Sequence, residues 1–247
     1  MIIQTEGLIL TEQPIKEKDK LITILTRKEG LIRCFVKGSK NLSSKYCAST
    51  QAMTFSRLSL YSGKSSYNIN DAEAIELFIG LRNDLEKFSL GQYFCEVAIN
   101  MIPDSAESDE FLSLILNSLY LLSNDKKPNL QIKAVFELRF LSLAGYMPDL
   151  VGCKCCGQYS SDIMYFIPDE GKIICSDCFD GTKKAEMLSP GVLTAMRTAV
   201  FADPKKIFAF SLSESSLRDL ADISEKYMLR HCDRELRALA FYKSLAI

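Results

Sequence analysis

The chain of 247 residues contains no tryptophan and a single histidine, His231. One histidine cannot supply a metal site built from several imidazoles, and any histidine-dependent catalytic triad would have to use that residue. The sequence also has no glycine-rich phosphate loop, no H-E-x-x-H and no G-x-S-x-G motif. These absences argue against an enzyme, and we expect His231 to be an ordinary surface or capping residue.

Long apolar runs are absent as well. No stretch approaches the length that a membrane-spanning helix needs, and the chain starts without the basic segment and apolar core of a secretory signal. Cysteine is present in an odd number, nine, and Cys34, Cys47, Cys95 and Cys232 are scattered singly. Single thiols of this kind are typical of reducing compartments, so we expect a cytoplasmic protein with no membrane partner.

Four other cysteines give the strongest chemical signal. Cys153 and Cys156 form one C-x2-C pair, eighteen residues follow, and Cys175 and Cys178 form a second pair. Four thiolates satisfy the tetrahedral preference of Zn²⁺ and leave no open position, which predicts one structural zinc ion. Free or buried thiols and a disulfide are the alternatives. Cys155 could replace Cys156 as a ligand, although the symmetry of the two pairs favours Cys156.

The residues between the two cysteine pairs have the pattern of a small hairpin. Ile163 to Ile167 is apolar and favours a strand, Pro168 to Gly171 has turn composition, and Lys172 to Ile174 leads into the second pair. This pattern predicts a zinc ribbon at residues 151–180.

Charge is distributed unevenly along the chain. Lys16 to Lys64 contains eleven Lys/Arg and three acids, a net of +8, whereas Ser65 to Leu150 contains six basic residues and thirteen acids, a net of -7. A local basic segment in a nearly neutral protein favours one anionic partner bound at one place. A solvated lysine-rich surface is the alternative.

The periodicity of apolar residues changes near residue 70. Residues 1–70 predict five short strands, with a charged loop from Thr11 to Asp19, and suit an OB-fold or an SH3-like barrel. Residues 71–247 predict a helical domain that contains the zinc ribbon, and its first helix is expected from Ala72 to Ile102, broken near Gly80 and Gly91. The expected class is therefore α+β.

Several motifs follow one another in a defined order. They are Glu17-x-Asp19-Lys20-Leu21, Leu25-Thr26-x3-Gly30-Leu31, Lys37-Gly38-Ser39-Lys40, the segment from Phe136 to Leu150 that leads into Cys153, the segment from Gly171 to Cys178, and Leu188-Ser189-Pro190. The ordered set, with the cysteine spacing, resembles the bacterial RecO family of DNA repair proteins over nearly the whole chain.

This resemblance implies an OB-fold followed by a helical bundle with a four-cysteine zinc ribbon. Family members are recombination mediators that bind single- and double-stranded DNA and anneal complementary strands coated with single-strand-binding protein. They work with RecR to load RecA, and they dock the acidic C-terminal tail of single-strand-binding protein on the helical part. Some members lack the cysteines.

The basic segment supplies the candidates for phosphate contacts, which are Lys16, Arg27, Lys28, Arg33, Lys37, Lys40, Lys45 and Lys64. Interleaved rings could stack on bases or fill the barrel core: Phe35, Tyr46, Phe55, Tyr61 and Tyr67. An acidic protein tail would need a basic pocket, and Arg139 or Lys133 could supply it. The alternative function is a zinc-ribbon adaptor that binds proteins, with DNA binding incidental; an enzyme with an unrecognised site is a third.

Overall fold

The computed structural model describes residues 1–15, 19–37, 46–63, 66–103 and 108–245. Its elements confirm the α+β class. In chain order they are β1 (Ile2–Pro14), β2 (Lys20–Thr26), β3 (Gly30–Val36), β4 (Phe55–Ser62), β5 (Tyr67–Glu76), α1 (Ile79–Arg82), α2 (Leu85–Met101), α3 (Ser108–Ser123), α4 (Asn129–Leu143), β6 (Met164–Ile167), β7 (Lys172–Cys175), β8 (Glu186–Leu188), α5 (Pro190–Phe201), α6 (Glu214–His231) and α7 (Arg237–Leu245).

The chain divides into two compact units. Unit 1 consists of Met1–Asp125 together with Leu236–Ile247, and unit 2 consists of Lys126–Glu235. The last helix, α7, therefore belongs with the N-terminal strands and helices.

Unit 1 contains a closed five-stranded barrel with the strand order β1-β2-β3-β5-β4. The pairs are antiparallel except for β3 and β5, which are parallel at Cys34 and Tyr67. This Greek-key order is that of an OB-fold, which decides between the two barrels that the sequence allowed. Helices α2 and α3 of the same unit pack against β1 and β2.

Alternating burial along the strands builds the barrel core. On β3, Ile32, Cys34 and Val36 are buried, while Arg33 and Phe35 are exposed. Because side chains alternate between the two faces of a strand, this period of two separates a core face from a solvent face. The buried cluster is completed by isoleucine and leucine from the other strands: Ile9, Ile22, Ile24, Leu58 and Leu60.

Two predicted strand ends are wrong, both where strands continue into segments without a strand pattern. Strand β1 runs to Pro14, into the expected charged loop, because Thr11 to Pro14 pair with β2. Strand β5 runs to Glu76, where a helix was expected from Ala72, because it pairs with β4. In both places the cross-strand hydrogen bonds, which are tertiary, override the local pattern.

Gly91 lies inside α2 instead of breaking the helix. A Cβ at this position would come within 2.7 Å of the Met53 sulfur, so the glycine permits close packing. The last helix, α7, starts at Arg237. Both carboxylate oxygens of Glu96, on α2, accept hydrogen bonds from the first turn of α7, at Arg237 N (3.0 Å) and Ala238 N (2.9 Å).

Unit 2 combines helices with the ribbon. Helix α4 packs against α5 and α6, and the three-stranded sheet has the order β7-β6-β8. The hairpin of β6 and β7 was predicted, whereas the short third strand β8 was not. The ribbon sheet contacts α6 through Phe166, whose ring lies edge-on to Tyr227 at 5.2 Å between centroids.

Gly171 closes the β6–β7 turn with a positive φ of 62°. A Cβ there would lie 2.6 Å from the Tyr227 hydroxyl oxygen, so a side chain would be strained and would also clash. The Tyr227 hydroxyl donates to the Tyr146 carbonyl at 3.1 Å. His231 stacks on Tyr146 and meets Tyr227 edge-on, so it is an aromatic packing residue. Burial, and then the nearby Arg230, lower the pKa of His231.

No helix in the described part of the chain is long and apolar enough to cross a membrane.

The Glu96 cap predicts how strongly α7 is attached to α2. Glu96→Ala removes two charge-assisted hydrogen bonds to a helix N-terminus, and we expect it to lower the free energy of unfolding by about 1–2 kcal/mol. Urea unfolding followed by circular dichroism measures this loss. Glu29→Ala, which removes an exposed carboxylate, is the matched control and should change the free energy by less than about 0.5 kcal/mol. Equal losses in both variants would contradict the cap.

Candidate metal centre and nucleic-acid interface

The structure brings the four predicted metal ligands together. The Sγ atoms of Cys153, Cys156, Cys175 and Cys178 all lie within 4.8 Å of one another. Cys156 Sγ and Cys175 Sγ are 3.7 Å apart. Two sulfurs bound tetrahedrally to one ion at about 2.3 Å lie about 3.8 Å apart, so this spacing fits a four-thiolate metal site. The residues present can therefore hold a metal ion.

Each pair of cysteines lies on a tight turn that is held by backbone hydrogen bonds. Gly157 N donates to Cys153 O at 2.8 Å in the first turn, and Cys178 N donates to Cys175 O at 3.1 Å in the second. Gly157 has a φ of 75°, which explains the glycine after the second ligand. Lys154 N donates to Ile173 O at 2.9 Å, so the first turn is attached to β7 next to the second pair.

The four thiols differ in acidity. Burial raises the pKa of Cys153, but backbone N–H groups of Cys156, Cys175 and Cys155 donate to its sulfur and bring the pKa down to about 6. Burial raises the pKa of Cys175, and hydrogen bonds with the thiols of Cys175 and Cys156 raise the pKa of Cys178. Thiolates this close repel one another, and a bound cation would displace the shared protons.

Cys155 does not belong to this cluster. It is exposed, and the group of converging thiols contains Cys156 instead. The symmetry of the two C-x2-C pairs therefore identified the four converging residues correctly. The site is closed by protein ligands, which is the arrangement of a structural metal.

The exposed face of β3 is the second candidate site. Arg33 and Phe35, on β3, and Lys37, directly after its end, are all exposed, and Phe35 is 37% exposed. We call these three residues the β3 row. Two cations on either side of a ring can contact two phosphates while the ring stacks on a base. Val36, at the end of β3, pairs with Lys20, where the β1–β2 loop ends. Cys34, two residues earlier, pairs with Tyr67, where the β4–β5 loop ends, so the ends of both loops lie beside this part of β3.

The other predicted DNA contacts do not all join this face. Arg27 and Lys28 lie in the turn between β2 and β3, at the opposite end of the barrel, and Arg27 is paired with Asp109. Of the predicted rings, Tyr61 is exposed, while Tyr46 and Tyr67 pack against the barrel core. Four of the predicted cations lie outside the described residues: Lys16, Lys40, Lys45 and Lys64.

The predicted pocket for an acidic tail is wrong for Lys133. Lys133 is 2% exposed and lies between two carboxylates, Glu137 Oε1 at 2.8 Å and Glu225 Oε2 at 2.9 Å. Burial lowers the pKa of Lys133, but the two carboxylates outweigh this effect and raise it. Arg139 is half-buried and donates to Val200 O at 2.6 Å, at the end of α5. Neither side chain presents a free cation to a ligand.

Sequence reasoning missed an open cleft in unit 2. It has a volume of about 510 Å³ and is lined by Val151, Tyr159, Ser160, Ser161, Pro190, Leu193, Thr194, Arg197, Thr198, Phe201 and Ala202. No spacing in the sequence marks this cleft, because its walls come from Val151 before the first cysteine turn, from Tyr159 to Ser161 after it, and from α5 with Ala202. Only the fold brings these segments together.

Arg197 joins the walls of the cleft. Its guanidinium donates to Leu150 O at 2.8 Å, Val151 O at 3.2 Å and Tyr159 O at 2.5 Å. It also lies 3.8 Å above the Tyr159 ring, which is a cation–π distance. The first cysteine turn is therefore tied to α5, and the cleft contains one positive charge and no carboxylate.

Comparison with known proteins agrees with this architecture. Residues 1–78 match the family model "Recombination protein O N terminal", and residues 82–240 match "Recombination protein O C terminal". A protein of Acetivibrio thermocellus named "DNA repair protein RecO" is 34% identical over 98% of this chain and 97% of its own length. A protein of Symbiobacterium thermophilum with the same name is 27% identical over 99% of this chain and 98% of its own length.

The fold and these matches define a DNA repair protein with an N-terminal OB-fold. The chain belongs to the RecO family.

The thiol cluster predicts that metal and stability are lost together. We expect Cys175→Ser to remove the bound metal and to lower the free energy of unfolding by about 3 kcal/mol or more, because metal binding contributes directly to folding. Elemental analysis of the purified variant and its urea unfolding curve measure both effects.

Cys155→Ser is the matched control, since it removes a neighbouring thiol outside the cluster. It should keep one metal ion per chain and the stability of the original protein. A metal-free original protein that unfolds at the same urea concentration as the metal-loaded form would contradict the site.

Proposed function

We propose that this protein is a recombination mediator that binds single- and double-stranded DNA and anneals complementary strands. It helps RecR to load RecA onto DNA coated with single-strand-binding protein, and it performs no turnover chemistry. It acts in the cytoplasm, on the nucleoid, where this DNA lies. Membership of the RecO family supports these roles, and the outward row of Arg33, Phe35 and Lys37 on an OB-fold is the observation that gives them a surface.

The β3 row suits single strands for a physical reason. Every base has a face that can stack, so an exposed ring binds without reading sequence, and neighbouring cations neutralise the backbone. Double-stranded DNA offers the same phosphates but no free base face. The cations thus serve both forms of DNA, whereas Phe35 favours the single strand. A surface that holds unpaired bases without sequence preference suits strand annealing.

The metal that we propose for the thiol cluster is Zn²⁺. Four thiolates at tetrahedral spacing suit zinc, which is redox-inert and has a structural role in such closed sites. The metal would hold the two cysteine turns together, while Cys153, Cys156, Cys175 and Cys178 provide the ligands.

The cleft beside α5 is our proposed site for the acidic tail of single-strand-binding protein. Its walls include the exposed residues Val151, Tyr159 and Phe201, which suit apolar side chains. The cations proposed for the acidic tail are the exposed Lys205 and Lys206, which follow the end of α5, because the Arg197 guanidinium already donates to three backbone carbonyl groups. This site replaces the predicted pocket at Lys133.

An adaptor that binds DNA only incidentally is the second candidate function, and the cleft favours it. The two functions make different demands on the barrel. A mediator needs the β3 row for DNA binding, whereas an adaptor does not.

DNA binding tests the charge of the β3 row. Lys37→Glu should weaken binding to a fluorescent oligo-dT by at least about tenfold at 100 mM salt and should reduce the salt slope by about one. Fluorescence anisotropy at several salt concentrations measures both quantities. Lys126→Glu, which makes the same charge change at an exposed lysine of unit 2, should change the affinity by less than about twofold. Identical curves for the two variants would leave the adaptor as the better function.

The ring of Phe35 is tested separately from its charged neighbours. Phe35→Ala should weaken single-strand binding by about 1–3 kcal/mol without changing the salt slope, because stacking involves no phosphate. Duplex binding should change little. Tyr120→Ala removes an exposed ring on α3, outside the barrel strands, and is the control. A weaker duplex affinity of the same size would show that Phe35 is not a stacking residue.

The cleft is tested by adding a negative charge. Thr194 is exposed and lines the cleft, so Thr194→Glu should weaken binding of the C-terminal peptide of single-strand-binding protein by at least about tenfold. Thr194→Gln, which has nearly the same size and no charge, is the matched control. Fluorescence anisotropy of the labelled peptide measures both. Equal affinity in the two variants would contradict a cleft that selects acidic peptides.

A further inference from the structure

We propose that Asp109 acts as an internal substitute for phosphate on Arg27 and thereby limits the affinity of the barrel for DNA. The proposal rests on the DNA binding proposed above. It assigns to the first turn of α3 a role in setting how tightly the β2–β3 end of the barrel binds nucleic acid.

The geometry places α3 directly on this turn. Arg27 Nη1 donates to Asp109 Oδ1, and the Ser108 hydroxyl donates to Arg27 O at 3.3 Å. Arg27 Nε also lies 4.0 Å from Glu6 Oε2. Both the backbone and the side chain of Arg27 are therefore held by neighbouring residues.

A carboxylate and a phosphate present similar acceptors to a guanidinium. Both offer anionic oxygens to the N–H groups of arginine, so Asp109 occupies donors that a DNA phosphate would use. Lys28, the next residue in the turn, is exposed and forms no ion pair with a carboxylate among the described residues. The turn thus contains one available cation and one that Asp109 neutralises.

The ion pair is weak enough to be exchanged. The side chain of Arg27 is 41% exposed and that of Asp109 is 54% exposed. Exposed pairs of this kind contribute little to stability, because water and salt screen them. Removing the carboxylate should therefore release Arg27 for DNA without unfolding the protein.

Asp109→Asn is the direct test, with anisotropy on oligo-dT between 50 and 200 mM salt. We expect about fivefold tighter binding and a salt slope steeper by about 0.7, the value for one additional phosphate contact on a single strand. Glu110→Gln is the matched control, because Glu110 is the next exposed carboxylate of the same helical turn and is not paired with Arg27. It should change the affinity by less than about twofold.

Arg27→Gln completes a double-mutant cycle. In the original protein it should weaken binding by less than about twofold, because Arg27 is already neutralised, whereas in the Asp109→Asn protein it should abolish the whole gain. Equal gains in Asp109→Asn and Glu110→Gln would overturn the proposal, since they would reflect net charge alone. A large loss of affinity from Arg27→Gln in the original protein would also overturn it.

A failure of the proposed function would be seen in a different measurement, the DNA binding of the original protein. If the original protein showed no salt-dependent binding to DNA, the mediator role would be contradicted before the variants were compared. Melting temperatures of the three variants should stay within about 2 °C of the original value, as expected for an exposed ion pair. Asp109→Asn with a normal melting temperature and unchanged DNA affinity would refute the role of Asp109.

Discussion

Closure of the barrel by β1 is the constraint on which the candidate DNA surface depends. The first half of β1 pairs with β4, from Ile2 opposite Tyr61, and its second half pairs with β2, as far as Pro14 opposite Lys20. One strand thus fixes the register on both sides. Because side chains alternate along a strand, a slip of one residue would turn the wrong set of side chains outward. The register of β1 against β2 also fixes β3, because β3 pairs with β2. The exposed position of Arg33, Phe35 and Lys37 follows from it.

In unit 2 the converging cysteines have a comparable role. The first cysteine turn is bonded to β7, and Arg197 bonds the residues on either side of this turn to α5 through three carbonyl groups. Two of these flanking residues, Val151 and Tyr159, line the cleft. A metal in the thiol cluster would therefore act indirectly, by holding in shape the cleft that we propose for the acidic tail, and not by contacting a ligand.

Positive charge counted along the chain overstates the charge that is available to a partner. Lys133 is buried between two carboxylates, Arg27 is paired with Asp109, and Arg139 donates to the end of α5. Arg33 and Lys37 are exposed, with Phe35 between them. A basic residue contributes to ligand binding only where its charge is paired with the ligand and not with another residue of the protein. Burial and pairing therefore decide which of the basic residues can contact DNA.

The sequence by itself determined the features that depend on short-range chemistry. The spacing of the cysteines identified all four members of the thiol cluster, because each pair lies on one turn and the hairpin between the pairs has its own signal. The strand pattern determined a small barrel. Only the tertiary structure decided the extension of β1 and β5, the cleft beside α5 and the pairing of Arg27 with Asp109. Each of these depends on contacts between residues distant in the chain, and such contacts leave no local pattern that a single sequence can show.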